Sequence, residues 1–289
     1  TWVYQYYYNV DAFDEAGLDY PKAGWTIDDY SYALETLVQK DGDAIKRWGG
    51  LDGCYDGFRF NLWAYIMGGN IVNPDDWTEC VVSSDETKAA FEWHRSRLWD
   101  SNTLIQQQQA GSYANLDPLA TGRVAIQGEG NGAEGTLFMN PPSIRWACVA
   151  PPVGPAGPQG IGTVDNWGIW KGTKAPNVVW DLLKIVALED EFQEGFAAIW
   201  VATPNRKSVL PKFRDAVKNK YPNATDDQID PQLDLLNSGT VQIGRQFKKH
   251  KASLELLLPV MQSILQVGDT GVEALDAVCD EITALNREE

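Results

Sequence analysis

Hydrophobic positions along the chain recur at two periods, one near two residues and one near 3.6, and the elements they predict come in turn. Tyr4-Gln5-Tyr6-Tyr7-Tyr8 is an unbroken, largely aromatic run that predicts a buried strand. Asp11 to Ala16 follows as a short helix closed by Gly17. Thr26-Ile27-Asp28-Asp29 has the form of a helix N-cap, with Asp29 near the orphan amides; Tyr30, Leu34, Leu37 and Val38 then share one helical face as far as Gly42. Ala44 to Trp48 predicts a strand running into a glycine-rich turn, Gly49-Gly50-Leu51-Asp52-Gly53. A helix from Phe58 to Met67 stops at Gly68-Gly69. Ser83 with Glu86 has capping-box spacing, and the helix it opens carries Ala90, Phe91, His94 and Leu98 on one side. Gln106 to Gln109 is a polar loop or helix end, and Ala114 to Thr121 a short helix closed by Gly122. Val124-Ala125-Ile126 predicts a strand, and Gly128-Glu129-Gly130-Asn131-Gly132 the loop after it.

Between Pro151 and Gly160 prolines and glycines crowd together, which excludes a helix or a central strand. This stretch joins a strand from Arg145 to Ala150 to another from Gly162 to Trp170, and suits a connection between lobes. Asn177 stands where a cap should, before an apolar helix with Val178, Trp180, Leu182, Ile185 and Val186, in which Trp180 is expected to be a packing residue. Pro204-Asn205-Arg206 is a loop. Pro259 should start or kink the helix in which it falls. Thr270 with Glu273 is a second capping-box pattern, followed by Val272, Leu275, Val278, Ile282 and Leu285 on one face. Strands alternating with helices make the class α/β.

Composition adds limits. The 289 residues allow one large domain or two ordinary ones, and 44% hydrophobic content can bury a core. With 24 Lys+Arg against 40 Asp+Glu the net charge is −16, which disfavours nucleic acid and anionic membrane surfaces as partners. No apolar stretch reaches the ~18 residues that a membrane span needs. The four cysteines, Cys54, Cys80, Cys148 and Cys279, allow three pairings. An exported protein would hold at least one disulfide, Cys54–Cys80 being the first to test, and the alternative is four small buried hydrophobes.

Catalytic patterns are sparse. Of the two histidines, His94 lies on an apolar stripe and is expected in the core, while His250 sits in a lysine-rich run on a solvated face. There is no Gly-x-Ser-x-Gly elbow, no phosphate-loop pattern and no Cys-x-x-Cys, so neither a metal nor another cofactor is expected. Carboxylates are plentiful, but no spacing singles out a glycosidase pair. Aromatic residues stand out instead: 12 Trp, 11 Tyr and 9 Phe, several beside amide and acidic residues in loops. Tyr55-Asp56-Gly57-Phe58 and Asp165-Asn166-Trp167 are examples. An aromatic ring covers the C–H face of a sugar while Asp, Asn, Glu or Arg satisfies its hydroxyls.

The order of segments is also informative. Tyr7-Tyr8-Asn9-Val10-Asp11-Ala12-Phe13-Asp14-Glu15-Ala16-Gly17-Leu18 resembles the signature with which extracellular solute-binding proteins of family 1 begin their second lobe. Gly24 to Tyr30, Leu62 to Asn70, Thr121 to Ile126, Trp167 to Lys174 and Val267 to Leu275 resemble later segments of that family, in the same order. Such proteins serve ABC importers, and many carry carbohydrates.

The resemblance implies a two-lobed, periplasmic-binding-protein-like α/β fold with a hinge and a ligand cleft between the lobes. Residues 1–159 and 212–289 would form the second lobe and 160–211 the returning part of the first. That first lobe would be incomplete in this chain, so residues before Thr1 are expected. Carried over residue by residue, the cleft should be faced by Tyr55, Asp56 and Phe58, by Glu129 and Asn131, and by Asp165, Asn166 and Trp167. Asn205 and Arg206 form a further group. Relatives often place an aromatic residue at the second of these sites, where this chain has Gly-Glu-Gly-Asn-Gly. The implied function is capture of a mono- or oligosaccharide and its delivery to membrane permease subunits, by a monomer that is not an enzyme. It would work in the periplasm or at the cell surface, exported, either soluble or lipid-anchored. The same fold holding a polyamine at Asp56, Glu129 and Asp165 is one alternative, and a glycan hydrolase is another.

Overall fold

The computed structural model describes residues 1–52, 59–106, 109, 117–164 and 166–288, with only the backbone of Asp117. The fold is built around strand β1 (Trp2–Asn9), which is buried from Val3 onward and paired on both edges. One edge runs antiparallel to β4 (Val124–Gly130), with Tyr4 opposite Gly130 and Tyr8 opposite Ile126. The other is shared by β5 (Trp146–Val149), opposite Tyr6 to Asn9, and β6 (Gly160–Thr163), opposite Trp2 and Val3. Outward from β4 lie β3 (Ala44–Leu51), parallel to it, and β2 (Gln39–Asp41); outward from β6 lies the parallel β7 (Val241–Ile243). The path is β2-β3-β4-β1-β6-β7, with β5 beside β1.

Local chemistry accounts for many boundaries. The Asn9 side chain accepts from Ala12 N–H and starts α1 (Val10–Ala16), which Gly17 ends in the left-handed region at φ 65°. Thr26 and Asp29 form a reciprocal capping box on α2 (Ile27–Thr36). That helix does not continue to Gly42: Gly42, at φ 61°, turns a hairpin between β2 and β3. α3 (Phe60–Met67) ends at Gly68, as its sequence predicts. α4 (Asp85–Arg95) is capped by Ser84, not Ser83, because Ser84 has the extended backbone and its hydroxyl accepts from Thr87 N–H.

The expected glycine-rich turn at 49–53 and loop at 128–132 are corrected, since Gly49, Gly50, Gly128 and Gly130 all lie inside strands. Here glycine marks close approach. A Cβ on Gly49 would stand 2.0 Å from the Leu34 carbonyl oxygen, so β3 packs directly on the backbone of α2. In the other direction, the strand expected to reach Trp170 stops at Thr163, because its partner β7 ends at Ile243 opposite Gly162.

The remaining helices are α5 (Asp117–Ala120), α6 (Glu134–Met139), α7 (Pro176–Leu188), α8 (Asp190–Trp200), α9 (Leu210–Lys220), α10 (Asp226–Asn237), α11 (His250–Gln262) and α12 (Ala274–Arg287). α7 starts with Pro176 in its first turn and makes no use of Asn177 as a cap. Pro259 lies inside α11, which widens afterwards into a π-turn at Ser263–Val267. α12 lacks the expected capping box, since the Thr270 hydroxyl donates to Asp269 instead.

The interior divides in two. The main cluster surrounds β1 and takes in α2, α3, α4, α11 and α12, with His94 fully buried within it as expected. A smaller cluster of Ala197, Val201, Phe213, Val217, Ala224 and Ile229 joins α8, α9 and the start of α10, on both sides of position 212. α7 is the exception: of its apolar residues only Val186 is buried, and Trp180, expected to pack, is 56% exposed. Its sequence is apolar on every side, but only the Val186 side meets other described protein.

Cys80 is bonded to Cys279, which corrects the Cys54–Cys80 pairing. The chain between them folds back so that α12 lies against the Cys80 strand edge, where Thr283 accepts from Cys80 N–H at 3.0 Å. Cys148 is free and buried, and Cys54 lies outside the described residues. A non-reducing peptide map should recover Cys80 and Cys279 in one linked peptide. Cys279→Ala should lower stability by about 2–5 kcal/mol in urea unfolding, since the disulfide closes a loop of some 199 residues.

Candidate functional site

The parallel strands β3 and β4 end side by side, and in open α/β sheets ligands bind beyond such carboxyl ends. Asp52, the residue after β3, is 2% exposed. Its carboxylate accepts from Tyr6 OH at 2.7 Å, Trp63 Nε1 at 3.1 Å, Tyr4 OH at 3.2 Å and Tyr30 OH at 3.4 Å, and His94 Nε2 lies 3.8 Å away. Four donors converging on one acid fix the Asp52 side chain at the end of β3. In turn burial, and then the charge of Asp52, push the Tyr6 hydroxyl well above the usual phenol range, so it remains a donor.

At the end of β4, Glu129 is 5% exposed; its Oε1 accepts from Arg59 Nη2 and from Gly130 N–H, at 2.8 and 2.9 Å. Arg59 stands at the start of α3, which brings this pair to the same end of the sheet as Asp52. The indole of Trp2 lies against Gly130, and the ring of Tyr4 against Gly128. Trp2 is also where β1 passes from the β4 ladder to β6, so this corner is the junction of the two halves of the sheet.

Behind the junction is a second polar network. Asn131 is fully buried, its Oδ1 accepting from Val3 N–H at 3.0 Å and its Nδ2 donating to Gln232 Oε1 at 2.7 Å. Glu134, also fully buried, accepts from Gln232 Nε2 at 2.8 Å, from Tyr7 OH at 3.4 Å and from Gln5 Nε2, with Cys148 Sγ at 3.7 Å. Burial pushes the Glu134 carboxyl well above the usual range despite these donors, and burial together with Glu134 does the same to the Cys148 thiol.

The sequence-predicted residues separate. Tyr55, Asp56, Phe58 and Asp165 lie outside the described residues. Glu129 is at the junction, but Asn131 is in the interior with both ends of its amide taken, because the crossing strand needs a partner for Val3. Asn166 and Trp167 follow β6 and are exposed. Trp167 lines a cavity of about 50 Å³ with Thr1, Phe192, Phe196 and Asn205. Asn205 is held there by Thr1, whose hydroxyl donates to its Oδ1 at 2.6 Å. Arg206 is ion-paired to Asp190 at 2.6 Å, on the α8 side, apart from Glu129. Sequence reasoning missed Trp2, Arg59 and Asp52. Trp2 had a signal, since it stands in phase with Tyr4 and Tyr6 on a strand of alternating faces. Arg59 and Asp52 had none.

Open grooves of about 650 Å³ beside Tyr20, Trp25 and Tyr32, and of about 740 Å³ between α8 and α9, lie elsewhere. In the first, Tyr20 OH donates to Asp14 and Asp29 caps α2, so these two polar groups are engaged within the fold. Chemistry and strand topology therefore outweigh hollow size here, and the junction is the candidate site. Among the described residues no group of His, Cys, Asp and Glu is arranged to hold a metal, and no helix is long and apolar enough to cross a membrane.

No protein-family model and no curated protein matches the sequence. Solved structures do. An ABC substrate-binding protein of Listeria monocytogenes in complex with cycloalternan superposes with a TM-score of 0.81 at 19% identity, over 98% of this chain and 69% of that one. Maltose-bound MalE3 of T. maritima gives 0.75 at 16%, over 98% and 71%. The acarbose-binding GacH receptor of Streptomyces glaucescens gives 0.76 at 18%, over 99% and 70%. At such identities the likeness is one of fold, and it bears out the two-lobed binding-protein architecture expected from the order of segments.

The Glu134 network gives a stability prediction. A carboxyl whose folded pKa is raised stabilises fully below its unfolded value of about 4.3, and that contribution is lost as pH rises through the folded value. The urea midpoint of the wild type should therefore fall more between pH 5 and pH 9 than that of Glu134→Gln. Parallel curves would show that Glu134 does not titrate in this window.

Proposed function

We propose that this protein is the substrate-binding component of an ABC importer, and that it captures a mono- or oligosaccharide between its lobes and delivers it to membrane permease subunits. The observation that supports this most is the make-up of the junction where parallel strands end: a partly exposed indole against Gly130, and at the neighbouring position of β4 a half-buried Arg59–Glu129 pair. A ring and a charge-neutral set of hydrogen-bonding groups suit a neutral polyol. The solved neighbours in complex with cycloalternan, maltose and acarbose are in keeping with it.

Ligand contacts to both sides of the junction would favour the closed arrangement of the lobes, the usual hinge device, and no bond is made or broken. The main lobe is the one around β1, and the segment after β6 with α7 and α8 belongs to the other. The protein acts as a monomer outside the cytoplasmic membrane, in the periplasm or lipid-anchored at the cell surface. The Cys80–Cys279 disulfide fits an oxidising compartment.

A cationic ligand is disfavoured, because Glu129 is already neutralised by Arg59 and Asp52 is enclosed by its own donors. Calorimetry with maltose, mannobiose, cycloalternan and spermidine should find a sugar bound at micromolar Kd or tighter, with less than about threefold change between 50 and 500 mM salt. Binding of spermidine alone, weakened strongly by salt, would reject the carbohydrate reading.

A further inference from the structure

The Gly128-Glu129-Gly130 run has an explanation beyond ending a strand. Opposite residues on an antiparallel pair share a face, and large side chains reach diagonally to the next position. Tyr6 is opposite Gly128 and Tyr4 opposite Gly130. A Cβ on Gly128 would lie 2.4 Å from the Tyr4 hydroxyl, and one on Gly130 would lie 1.6 Å from Trp2 Nε1 and 1.7 Å from Cε2. Each glycine thus makes room for the ring one step further along β1. The rings form an edge-to-face series, Trp2 to Tyr4 at 6.1 Å and Tyr4 to Tyr6 at 5.9 Å. Tyr4 and Tyr6 are buried and tied to Asp52, which fixes the series from within. Trp2, its outermost member, is partly exposed at the sheet junction.

We propose that Trp2 is the platform on which a sugar ring stacks, supplied by β1 because β4 carries no side chain at position 130. The inference rests on the carbohydrate reading above and adds a specificity residue to it. The indole takes the C–H face of the pyranose; Glu129, opposite Gln5, turns with Arg59 to the other face of β4 and is no part of the platform. A side chain at position 130 cannot coexist with the indole in this place, so Gly130 is a positioning residue for it.

The test uses the full chain and whichever of maltose, mannobiose and cycloalternan binds most tightly. Trp2→Ala should weaken that sugar at least tenfold, and Trp2→Phe by less, since a smaller ring remains. Gly130→Ala, which leaves Trp2 in the chain but evicts its ring, should weaken binding like Trp2→Ala. Trp2→Phe should also lose most of the sugar-induced change in tryptophan fluorescence, a readout that a purely structural role would leave in place. Circular dichroism and melting curves identify variants that have unfolded; should Trp2→Ala be one, the fluorescence of folded Trp2→Phe decides. Wild-type affinity in folded Trp2→Ala, or an unchanged fluorescence response in Trp2→Phe, would overturn the assignment and leave sugar binding standing. Failure of the wild type to bind any of the three sugars would overturn both.

Discussion

The structure depends on one strand satisfying two sets of neighbours. β1 is buried along almost its whole length, so each of its peptide groups needs a partner. β4 serves one edge as far as Gly130 and then leaves, while β6 takes the other edge only at Trp2 and Val3. At that step the N–H of Val3 would be orphaned, and an unpaired buried amide costs about 1–3 kcal/mol. Asn131 meets it at 3.0 Å, and Asn131 is itself held by Gln232 of α10. The crossing between the halves of the sheet is therefore fixed by side chains, not by a continuous ladder. The proposed ligand groups Trp2, Arg59 and Glu129 lie at this crossing, where a bound ligand would report on the relation between the halves.

Two buried acids sit on either side of this strand and are treated differently. Asp52 meets three tyrosine hydroxyls and an indole N–H, and charge-assisted hydrogen bonds of about 1.5–3 kcal/mol each can offset much of the cost of burying a carboxylate. Glu134 meets two amides, a phenol and a thiol, and burial still dominates. The first acid organises the aromatic side on which the candidate site lies. The second joins β1, β5, α6 and α10 where no ligand can reach.

Much of the architecture was legible because it rests on short-range chemistry. The Tyr4–Tyr8 run, the Thr26 cap and the Gly17 and Gly68 stops each depend on a few neighbouring residues. The glycine runs at 49–50 and 128–130 misled for a long-range reason: what makes glycine necessary there is the backbone of Leu34 in one case and the rings of Tyr4 and Trp2 in the other. The same applies to the site. Glu129 was named through the family resemblance, in a loop that is in fact strand, while Arg59 becomes meaningful only once α3 is folded against β4. Asn131 had the composition of a ligand residue, but the need of Val3 for a partner took it inward. Cys80–Cys279 joins segments 199 residues apart, which no spacing rule foresees.

The tryptophan excess and the acidity of the chain, both conspicuous in composition, turn out to say little directly about the ligand. Trp25 and Trp63 belong to the core around Tyr30, and Trp93 stacks on Trp63 under the Arg97 guanidinium. Trp167, Trp170, Trp180 and Trp200 are exposed along the segment from the end of β6 through α8. Trp2 differs from both groups, being anchored on one side by Gly130 and Tyr4 and open in part. The acidic residues divide similarly. Asp14, Asp190 and Asp226 are surface partners of Arg145, Arg206 and Lys218, while Glu129 is balanced by Arg59 and Asp52 is enclosed by neutral donors. A net charge of −16 is thus carried by the surface, where it aids solubility, and the junction can remain locally neutral. A neutral, ring-lined corner inside a strongly acidic protein is what recognition of an uncharged polyol requires.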